Sequence, residues 1–554
     1  MASIEALGAF AAGSLAFWIF FHRGEHFLYP VRYIQSVTVT TLAGTIFLTS
    51  STKITFREAL TASVYLAGIF LAGTYANCAM YRLFLNPLNK IPGPYLARLS
   101  KFNHVFQNKN LNAHHKLLEM HEKYGKFVRI GPNDISVIDA DGTEVVSSPK
   151  SKCTKGPWYD QDAPLSSLHT TRDRGIHDRR RRVWAPAFSD RALRGYEVRV
   201  QTFNDLLIMK LTETKGQPVD ATNLLNLYSF DTMGDLAFGK DFGMLEKGEV
   251  HWAIKLLNEG MTPAGLQFPT WFFRLVIAIP GAAKGYWQFI DFCTEALENR
   301  IAVHDKTDPG RPDITQTLID HYQKSDNQKQ LWPMLCGDSR LIIVAGSDTT
   351  AATLTHLFYH LAGKPEWQKQ LRDEIQQIKL DNRLAGHVIP DQWLKEAPVI
   401  NGLINETLRL NPPVPSGVFR KTPPEGVMIG HTFVPGDTNI QMPQYVMSRS
   451  PDNYSQPTSF VPERWYSKPE MIKHKDAFAP FSTGPFGCIG KNLAYMEVRT
   501  ITTQIVDQFD VSFAPGEDGS KLLMQSRDHF TMGLKELNLC FKWRNEVKME
   551  ENAV

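Results

Sequence analysis

Cysteine is scarce in this 554-residue chain, and the six that occur are far apart. They stand at positions 78, 153, 293, 336, 488 and 540. This spacing argues against a disulfide framework, and no Cys or His lies within four residues of Cys488 to complete a paired-cysteine zinc site. The chain also lacks a GxGxxG motif or another dinucleotide fingerprint. Electrons for any redox reaction must therefore come from another protein.

Charge of one sign is not in excess either. The formal net charge is +3, which indicates no nucleic acid or other polyanionic partner. With 43% hydrophobic and 21% charged residues, the composition is that of a globular protein.

Charged residues are absent from three stretches near the N-terminus, 6–21, 33–52 and 59–81. The third stretch is 23 residues long and can span a bilayer, the Thr-rich second spans less securely, and the first is short. A cleaved signal peptide fits poorly, because no basic residue precedes the first stretch. The alternatives are one span, three spans, or core helices of a soluble domain.

Basic residues beside these stretches predict an orientation for the three-span case. Arg23 and Arg32 then share a side of the membrane with Arg82, and the positive-inside rule makes that side cytosolic. Lys53 and Arg57 lie on the opposite side and dilute the contrast. The remainder of the chain is therefore predicted to face the cytosol.

A proline-rich segment at 86–94 follows the apolar stretches. Proline favours extended backbone and removes helix donors, so we expect a hinge that holds the next domain at a set angle to the membrane. Extended patterns at 127–130 and 135–138 predict a small sheet. From about residue 190 the patterns are mainly helical.

A long apolar segment at 333–362 predicts a helix of roughly 28 residues, about 42 Å long, beginning at Pro333. Its centre carries Gly346, Asp348 and Thr349 among apolar residues. An acid beside a hydroxyl in a tight apolar site can act as a proton relay. The alternative is a helix-packing glycine with threonines bonded to the carbonyls one turn back.

Glu406 and Arg409 lie three residues apart and share a helix face, where they can pair. Most such pairs lie on the surface and contribute little. Arg464, in the sequence Pro-Glu-Arg-Trp, is a second partner that could complete a buried bidentate network.

Cys488 stands in the sequence Phe-Ser-Thr-Gly-Pro-Phe-Gly-Cys-Ile-Gly-Lys, directly before a helical pattern. A helix N-terminus lowers the pKa of a thiol, and glycines let backbone amides approach the sulfur. These features favour a thiolate metal ligand, and the alternative is a buried structural cysteine.

The order of these segments resembles the cytochrome P450 family of haem-thiolate monooxygenases, over residues 92–530. The fold expected from the resemblance is mainly α with a small β subdomain, preceded by transmembrane helices. The apolar N-terminus and Pro-Gly-Pro hinge are similar to the microsomal class. The sequence Gly-Pro-Phe-Gly-Cys that ends at Cys488, together with the three apolar stretches, most resembles fungal secondary-metabolite members of the family.

The resemblance implies a role for each matched residue. Cys488 is the axial thiolate of the iron in haem b (iron protoporphyrin IX), and Asp348 and Thr349 deliver protons to dioxygen. A structural triad is formed by Glu406, Arg409 and Arg464. The other haem-binding residues are His177, Arg181, Arg420, Phe481, Gly484 and Gly490, with the glycine backbones approaching the sulfur.

One position departs from the family, because Phe486 replaces the usual basic partner of a haem propionate. His177 and Arg181 fall on one helix face with Trp184 and Phe188 and are expected to point inward, and Arg420 is expected to serve as a second partner. The remaining basic residues of the helix, Arg179, Arg180 and Arg182, are expected to form a solvated surface for an acidic reductase.

The expected reaction is insertion of one atom of O2 into a lipophilic small molecule, with electrons from an NADPH-cytochrome reductase. Substrate contacts are expected from 156–172, Ala345, 414–418 and 530–532. The alternatives are an isomerase, dehydratase, desaturase or ring-forming enzyme on the same fold, and a non-catalytic haem-binding component.

The resulting division of the chain is a membrane anchor at 1–85 with up to three transmembrane helices, a hinge at 86–94, a catalytic domain at 95–545 and a tail at 546–554. The expected location is the endoplasmic reticulum membrane, with the catalytic domain facing the cytosol.

Overall fold

A computed structural model describes residues 2–239, 242–303 and 313–544, so the predicted tail at 546–554 lies outside the described residues. The helices are α1 (Ala2–Ala16), α2 (Pro30–Thr52), α3 (Phe56–Met80), α4 (Phe102–Gln107), α5 (Ala113–Tyr124), α6 (Asp141–Ser147), α7 (Arg174–Trp184), α8 (Asp190–Glu213), α9 (Ala221–Phe238), α10 (Met244–Lys247), α11 (Trp252–Gly260), α12 (Thr262–Gly265), α13 (Thr270–Ala278), α14 (Lys284–Ala302), α15 (Ile314–Gln323), α16 (Gln328–Gly363), α17 (Pro365–Asn382), α18 (Asp391–Leu394), α19 (Pro398–Leu410), α20 (Gln444–Met447), α21 (Lys491–Gln508) and α22 (Ser520–Gln525).

Short strands accompany the helices, which confirms the predicted mainly α fold with small sheets. The strands are β1 (Phe127–Arg129), β2 (Asp134–Val137), β3 (Thr154–Lys155), β4 (Val219–Asp220), β5 (Phe419–Lys421), β6 (Val427–Ile429), β7 (Thr432–Val434), β8 (Asn439–Gln441), β9 (Phe509–Phe513), β10 (Arg527–His529), β11 (Thr531–Gly533) and β12 (Asn538–Trp543). The largest sheet has the order β1-β2-β8-β5-β3, with β2 and β8 parallel and the other pairs antiparallel. Within it Lys155 of β3 lies opposite Arg420 of β5.

Helix α16 runs through the middle of the domain and contacts α9, α14, α15, α19 and α21. The helix is longer than predicted, since it begins at Gln328 and contains Pro333 as an interior residue. The predicted start at Pro333 was wrong because proline is tolerated near a helix start without marking its first residue.

The N-terminal helices α1 and α3 pack side by side and run in the same direction. The hydroxyl of Thr74 donates to the carbonyl of Gly13 at 3.0 Å, and the indole of Trp18 donates to Asn77 Oδ1 at 3.0 Å. A Cβ on Gly13 would lie 2.0 Å from the backbone oxygen of Phe70, so only glycine permits this approach.

Among the described helices, three are long and apolar enough to cross a membrane. They are Ile4–Phe21, Phe56–Leu85 and Gln328–Gly363, and the last is 67% buried inside the protein, as a core helix must be. Helix α2 is not among them, because its many threonines lower its hydropathy. Of the three predicted spans, two are therefore long and apolar enough to cross a membrane.

The loop between α1 and α2 contacts the catalytic domain. Glu25 accepts hydrogen bonds from Arg172 at 2.7 Å and Lys421 at 2.8 Å, and Arg274 donates to the carbonyl of Leu28 at 3.3 Å. Hydrogen bonds and charge from the two cations outweigh burial and lower the pKa of Glu25 to about 2. The loop is thus held against the surface formed by β5 and α13.

Candidate active site

A cavity of about 790 Å³ lies between α16 and the loop that precedes α21. Cys488 and Gly490 line it from the loop, and Ala345 and Thr349 line it from α16. The predicted substrate segments contribute lining residues, among them Trp158, Val414 and Phe530, but Met532 and Ser416 do not line it. The cavity therefore joins the predicted ligand cysteine to the predicted proton relay.

The backbone holds Cys488 in place through a bond from its N–H to the carbonyl of Phe481 at 2.8 Å. The ring of Phe481 packs on Tyr495 with centroids 5.3 Å apart. A Cβ on Gly490 would lie 3.9 Å from Cys488 Sγ, so this glycine backs the sulfur closely. Cys488 is exposed, and the space that it faces is the internal cavity.

Burial raises the pKa of the Cys488 thiol, although the amides of Gly490 and Lys491 and the charge of Arg181 oppose that rise. The expected net lowering of the pKa by the helix N-terminus was therefore wrong for the protein alone. The amides are oriented as predicted, but they and the charge of Arg181 are outweighed because the sulfur faces an internal cavity and not bulk water.

Gly484 has a backbone conformation and a close contact that only glycine permits. Its φ is +64°, and a Cβ there would lie 2.1 Å from the carbonyl oxygen of Ser147. Glycine is required because the turn is left-handed and presses on the end of α6. A side chain at this position would therefore collide with the Ser147 backbone.

Three cations line the cavity beside the cysteine loop: Lys155, Arg181 and Arg420. Arg181 donates to the carbonyl of Gly487 at 2.7 Å, Lys155 donates to the carbonyl of Leu168 at 2.8 Å, and Arg420 Nε is buried without a partner. Within the described part of the chain, no carboxylate lies at ion-pair distance from any of the three. Burial and the charges of both arginines hold the pKa of Lys155 well below its usual range.

The ring of Phe486 lies at the centre of this cationic group. Lys155 Nζ is 4.9 Å from the ring centroid, and the guanidinium carbons of Arg420 and Arg174 are 5.1 Å and 5.5 Å from it. His177 packs edge-on at 4.6 Å. An aromatic face attracts cations, so the ring of Phe486 is surrounded by basic side chains. These side chains lie where other family members are expected to have a basic residue in place of Phe486.

Helix α7 carries Arg174, His177 and Arg181. Its first turn is stabilised by Asp173, whose carboxylate accepts the N–H of Ile176 at 2.7 Å. His177 and Trp184 are buried, as predicted, while Arg179 and Arg182 are exposed.

The expectation for Arg180 was wrong, since its side chain is buried. Its Nε donates to Asp338 Oδ2 of α16 at 2.5 Å. The same carboxylate accepts the indole N–H of Trp184 at 3.1 Å and the backbone N–H of Leu168 at 2.7 Å. Arg180 therefore ties α7 to α16, a partner 158 residues away that the helix pattern alone could not reveal.

Asp348 and Thr349 lie in the middle of α16, and only Thr349 lines the cavity. The hydroxyl of Thr349 donates to the carbonyl of Ala345 at 2.9 Å, as in the helix-packing alternative. A Cβ on Gly346 would lie 2.5 Å from the Met233 side chain, so this glycine makes room for α9. Burial raises the pKa of Asp348 to about 7, partly opposed by a hydrogen bond from Thr531 at 3.3 Å.

This raised pKa predicts a pH-dependent change in stability. Unfolded aspartate ionises near pH 4 and folded Asp348 near pH 7, so stability should fall as pH rises between these values. Asp348→Asn should remove a penalty of about 2–4 kcal/mol above pH 7 and have little effect at pH 4. Melting temperatures of the purified holoprotein at both pH values test this, with the exposed Asp291→Asn as the matched control. Equal melting temperatures for variant and wild type at pH 8 would contradict the assignment.

The predicted triad is brought together without any solvent exposure. Glu406 accepts two bonds from Arg409, at 2.9 Å and 2.7 Å, and one from Arg464 at 3.0 Å. The indole of Trp465 and the backbone N–H of Val461 also donate to it, at 3.0 Å and 2.8 Å. The remaining N–H groups of the two arginines donate to the carbonyls of Ser448, Ser455, Gln456, Pro457 and Ser459. The network thus fixes the segment 455–465, which precedes the cysteine loop.

Sequence reasoning missed several titratable residues of the cavity wall, namely Lys155, Tyr286, Arg340 and Glu497. Glu497 of α21 accepts the Thr350 hydroxyl at 3.2 Å, and burial raises its pKa to about 8. Its position nine residues after Cys488 on a helical pattern was the available signal. It also missed the apolar wall from α11 to α14, including Leu257, Phe273, Val276 and Phe289.

The residues present fit a haem. A cysteine sulfur faces the cavity, and Gly490 lies beside it, since a Cβ at that position would be 3.9 Å from the sulfur. Lys155, Arg181 and Arg420 line the cavity together, and among the described residues none of them pairs with a carboxylate, so they are available to two propionate groups. Such a group, when bound through thiolate, supplies dioxygen chemistry.

Comparison with known proteins agrees with the geometry. The family model "Cytochrome P450" matches residues 92–541. The chain is 44% identical to cytochrome P450 monooxygenase lcsK of Purpureocillium lilacinum, over 98% of this chain and 99% of that protein. It is 40% identical to cytochrome P450 monooxygenase notG' of Aspergillus versicolor, over 95% of each chain. It is also 38% identical to tryprostatin B 6-hydroxylase of Neosartorya fischeri, over 94% of each chain.

The match covers the cavity, the cysteine loop and the buried triad together. The relatives are fungal monooxygenases and are matched over nearly their whole length. The chain therefore belongs to the cytochrome P450 family, the haem-thiolate monooxygenases.

Proposed function

We propose that the protein is a haem b-dependent monooxygenase of secondary-metabolite biosynthesis. It inserts one atom of O2 into a C–H bond of a lipophilic small molecule, while the other atom leaves as water. NADPH supplies the two electrons through a separate cytochrome reductase. The observation that carries this proposal is the largely apolar cavity lined by both Cys488 and Thr349.

The residue roles follow from this geometry. Cys488 would hold the haem through its sulfur, and Thr349 on the cavity wall would hold a proton at its hydroxyl, with the carboxyl of Asp348, whose pKa is raised to about 7, as the proton source behind it. Glu406, Arg409 and Arg464 maintain the fold beneath the haem. Phe481 and Gly490 shape the sulfur side of the site.

Arg181, Arg420 and Lys155 would hold the haem propionates, and His177 lines the cavity with them. Lys155→Met should raise the rate of haem transfer from the ferric holoprotein to apomyoglobin about tenfold or more, because a charge-assisted bond contributes roughly 1.5–3 kcal/mol. Lys152→Met is the matched control, since Lys152 is exposed and pairs with Glu425 at 3.0 Å. Equal transfer rates for Lys155→Met and wild type would remove Lys155 from the anchor.

The membrane helices support a location on the endoplasmic reticulum, with the catalytic domain in the cytosol beside its reductase. Arg179 and Arg182 are exposed on α7, on the same helix as the propionate partner Arg181. They form part of the surface that receives the acidic reductase.

The proposed function is tested by reconstitution with an NADPH-cytochrome reductase and a fungal extract fraction that accumulates when the gene is deleted. NADPH and O2 consumption with an oxygenated product supports monooxygenation. A product formed without O2 would favour an isomerase or dehydratase and would refute the proposal.

Thr349→Ala should keep bound haem but divert electrons from product. We expect a fall of at least tenfold in product per NADPH, with hydrogen peroxide accounting for the difference. Thr355→Ala on the same helix is the control, because its hydroxyl bonds the carbonyl of Ala351 at 2.8 Å and its side chain does not line the cavity. Unchanged coupling in Thr349→Ala would exclude the threonine from proton delivery.

A further inference from the structure

Three polar side chains of the cavity wall form a cluster: Asp162, Tyr286 and Arg340. The hydroxyl of Tyr286 donates to Asp162 Oδ1 at 2.6 Å, and Arg340 Nη1 donates to that hydroxyl at 3.3 Å. Arg340 Nη2 donates to Asp162 Oδ2 and completes an ion pair. The three come from different parts of the fold, since Tyr286 lies on α14, Arg340 on α16 and Asp162 in the segment before α7. This cluster is called the polar wall.

The polar wall is set among apolar residues of the cavity lining. The side chains of Arg340 and Asp162 keep 15% and 20% of their surface exposed, and all three residues line the cavity. Neighbouring lining residues, such as Val276 and Leu341, are apolar. An ion pair taken out of water stabilises a fold no better than apolar side chains of similar volume. Stability alone therefore does not account for its place on the cavity surface.

The chemistry of the polar wall specifies what it can bind. Bonds to described residues use two of the five N–H donors of Arg340, and the carboxylate of Asp162 retains free lone pairs. The pair offers donors and acceptors side by side with no net charge. A carboxylate ligand would be attracted by Arg340 but repelled by Asp162, and the reverse holds for an ammonium, so neither gains net charge attraction, whereas a neutral amide satisfies both side chains with its C=O and N–H.

The position along α16 sets a length for the ligand. Arg340 precedes Ala345 by five residues and Thr349 by nine, which corresponds to about 7–8 Å and 13–14 Å along the helix axis. An amide held by Arg340 therefore lies on the order of 10 Å from the reacting position. The apolar lining between the two fits an intervening hydrocarbon portion of the ligand.

We infer that the polar wall of Asp162, Tyr286 and Arg340 binds a carboxamide of the substrate and thereby selects which carbon is oxidised. The substrate class is a lipophilic amide with its oxidised carbon roughly 10 Å from the amide. This inference rests on the proposed monooxygenase function and adds the recognition element.

Spectral titration of the ferric holoenzyme with three probes of matched backbone length tests the inference. The probes are N-methyloctanamide, decanoate and decane, and the readout is the ligand-induced change in the Soret band. Wild type should bind the amide at least tenfold more tightly than either other probe. The double variant Asp162→Leu with Arg340→Met, which leaves no unpaired charge, should lose that preference, and Tyr286→Phe should weaken the amide severalfold. Lys329→Met, exposed on the same helix, should alter nothing.

Two results would overturn the inference: equal binding of amide and decane by wild type, or an amide preference that survives in the double variant. Both are distinct from failure of the proposed function. A holoenzyme that consumes NADPH and O2 with the reductase but shows no amide preference refutes the polar wall alone. A wild type without a thiolate-type spectrum refutes the proposed function instead.

Discussion

Replacing Glu406 by Gln is expected to abolish recovery of haem-containing protein. Two guanidinium groups, those of Arg409 and Arg464, would remain fully buried without their shared carboxylate. Removing one partner from a buried ion network costs about 3–5 kcal/mol, which is a large part of the roughly 5–15 kcal/mol that stabilises a domain. The network also orders the segment 455–465, which leads to the cysteine loop, so folding and haem retention should fail together.

Absorbance of the purified protein at the Soret band, relative to total protein, measures this loss. Glu463→Gln is the matched control, because Glu463 lies next to Arg464 in the short helix Pro462–Trp465 but, among the described residues, forms its ion pair with Lys468 alone, at 3.5 Å. The control should retain haem near the wild-type level. Full haem occupancy in Glu406→Gln would mean that the network is dispensable and that its assignment is mistaken.

Replacing Cys488 by Ala is expected to remove the thiolate signature and all monooxygenase turnover while the polypeptide stays folded. Cys488 faces the cavity and so contributes little packing that alanine would lose. The amide contacts of the loop come from the backbone, including the bond from residue 488 to Phe481. Circular dichroism should therefore match wild type, whereas the spectrum of the reduced carbon monoxide complex should change completely.

The control for this variant is Cys540→Ala, since Cys540 is buried in β12 and does not line the cavity. It should keep the thiolate-type spectrum. A thiolate-type spectrum in Cys488→Ala would show that another of the cysteines is the ligand.

Local sequence predicted the parts of the site that lie on one element or in one loop. The loop around Cys488, the pairing of Glu406 with Arg409, and the inward face of α7 with His177 and Trp184 all follow from spacing. The mainly helical fold was likewise predictable, because apolar periodicity and proline positions are local properties.

Contacts between distant segments were not predictable in the same way. Arg180 was assigned to a solvated face because runs of arginine usually lie in contact with solvent. In the structure it is buried and forms an ion pair with Asp338 of α16. Lys155 enters the cationic group only because β3 pairs with β5 in the register that sets it opposite Arg420. The pKa of Cys488 depends on how deeply the loop is buried, which its glycines do not encode.

The polar wall illustrates the same limit. Asp162 and Arg340 are 178 positions apart, and neither stands in a motif. They meet because the segment before α7 folds over the N-terminal half of α16, so the recognition chemistry of the cavity emerges only in three dimensions.

The measurement that tests the central claim most directly is the carbon monoxide difference spectrum of the reduced wild-type protein. The geometry of Cys488 at the floor of the cavity predicts the red-shifted Soret band of a thiolate-ligated haem, present in wild type and absent in Cys488→Ala. A wild-type spectrum of the imidazole-ligated kind, or no haem spectrum in a folded preparation, would contradict the assignment of Cys488 as the haem ligand.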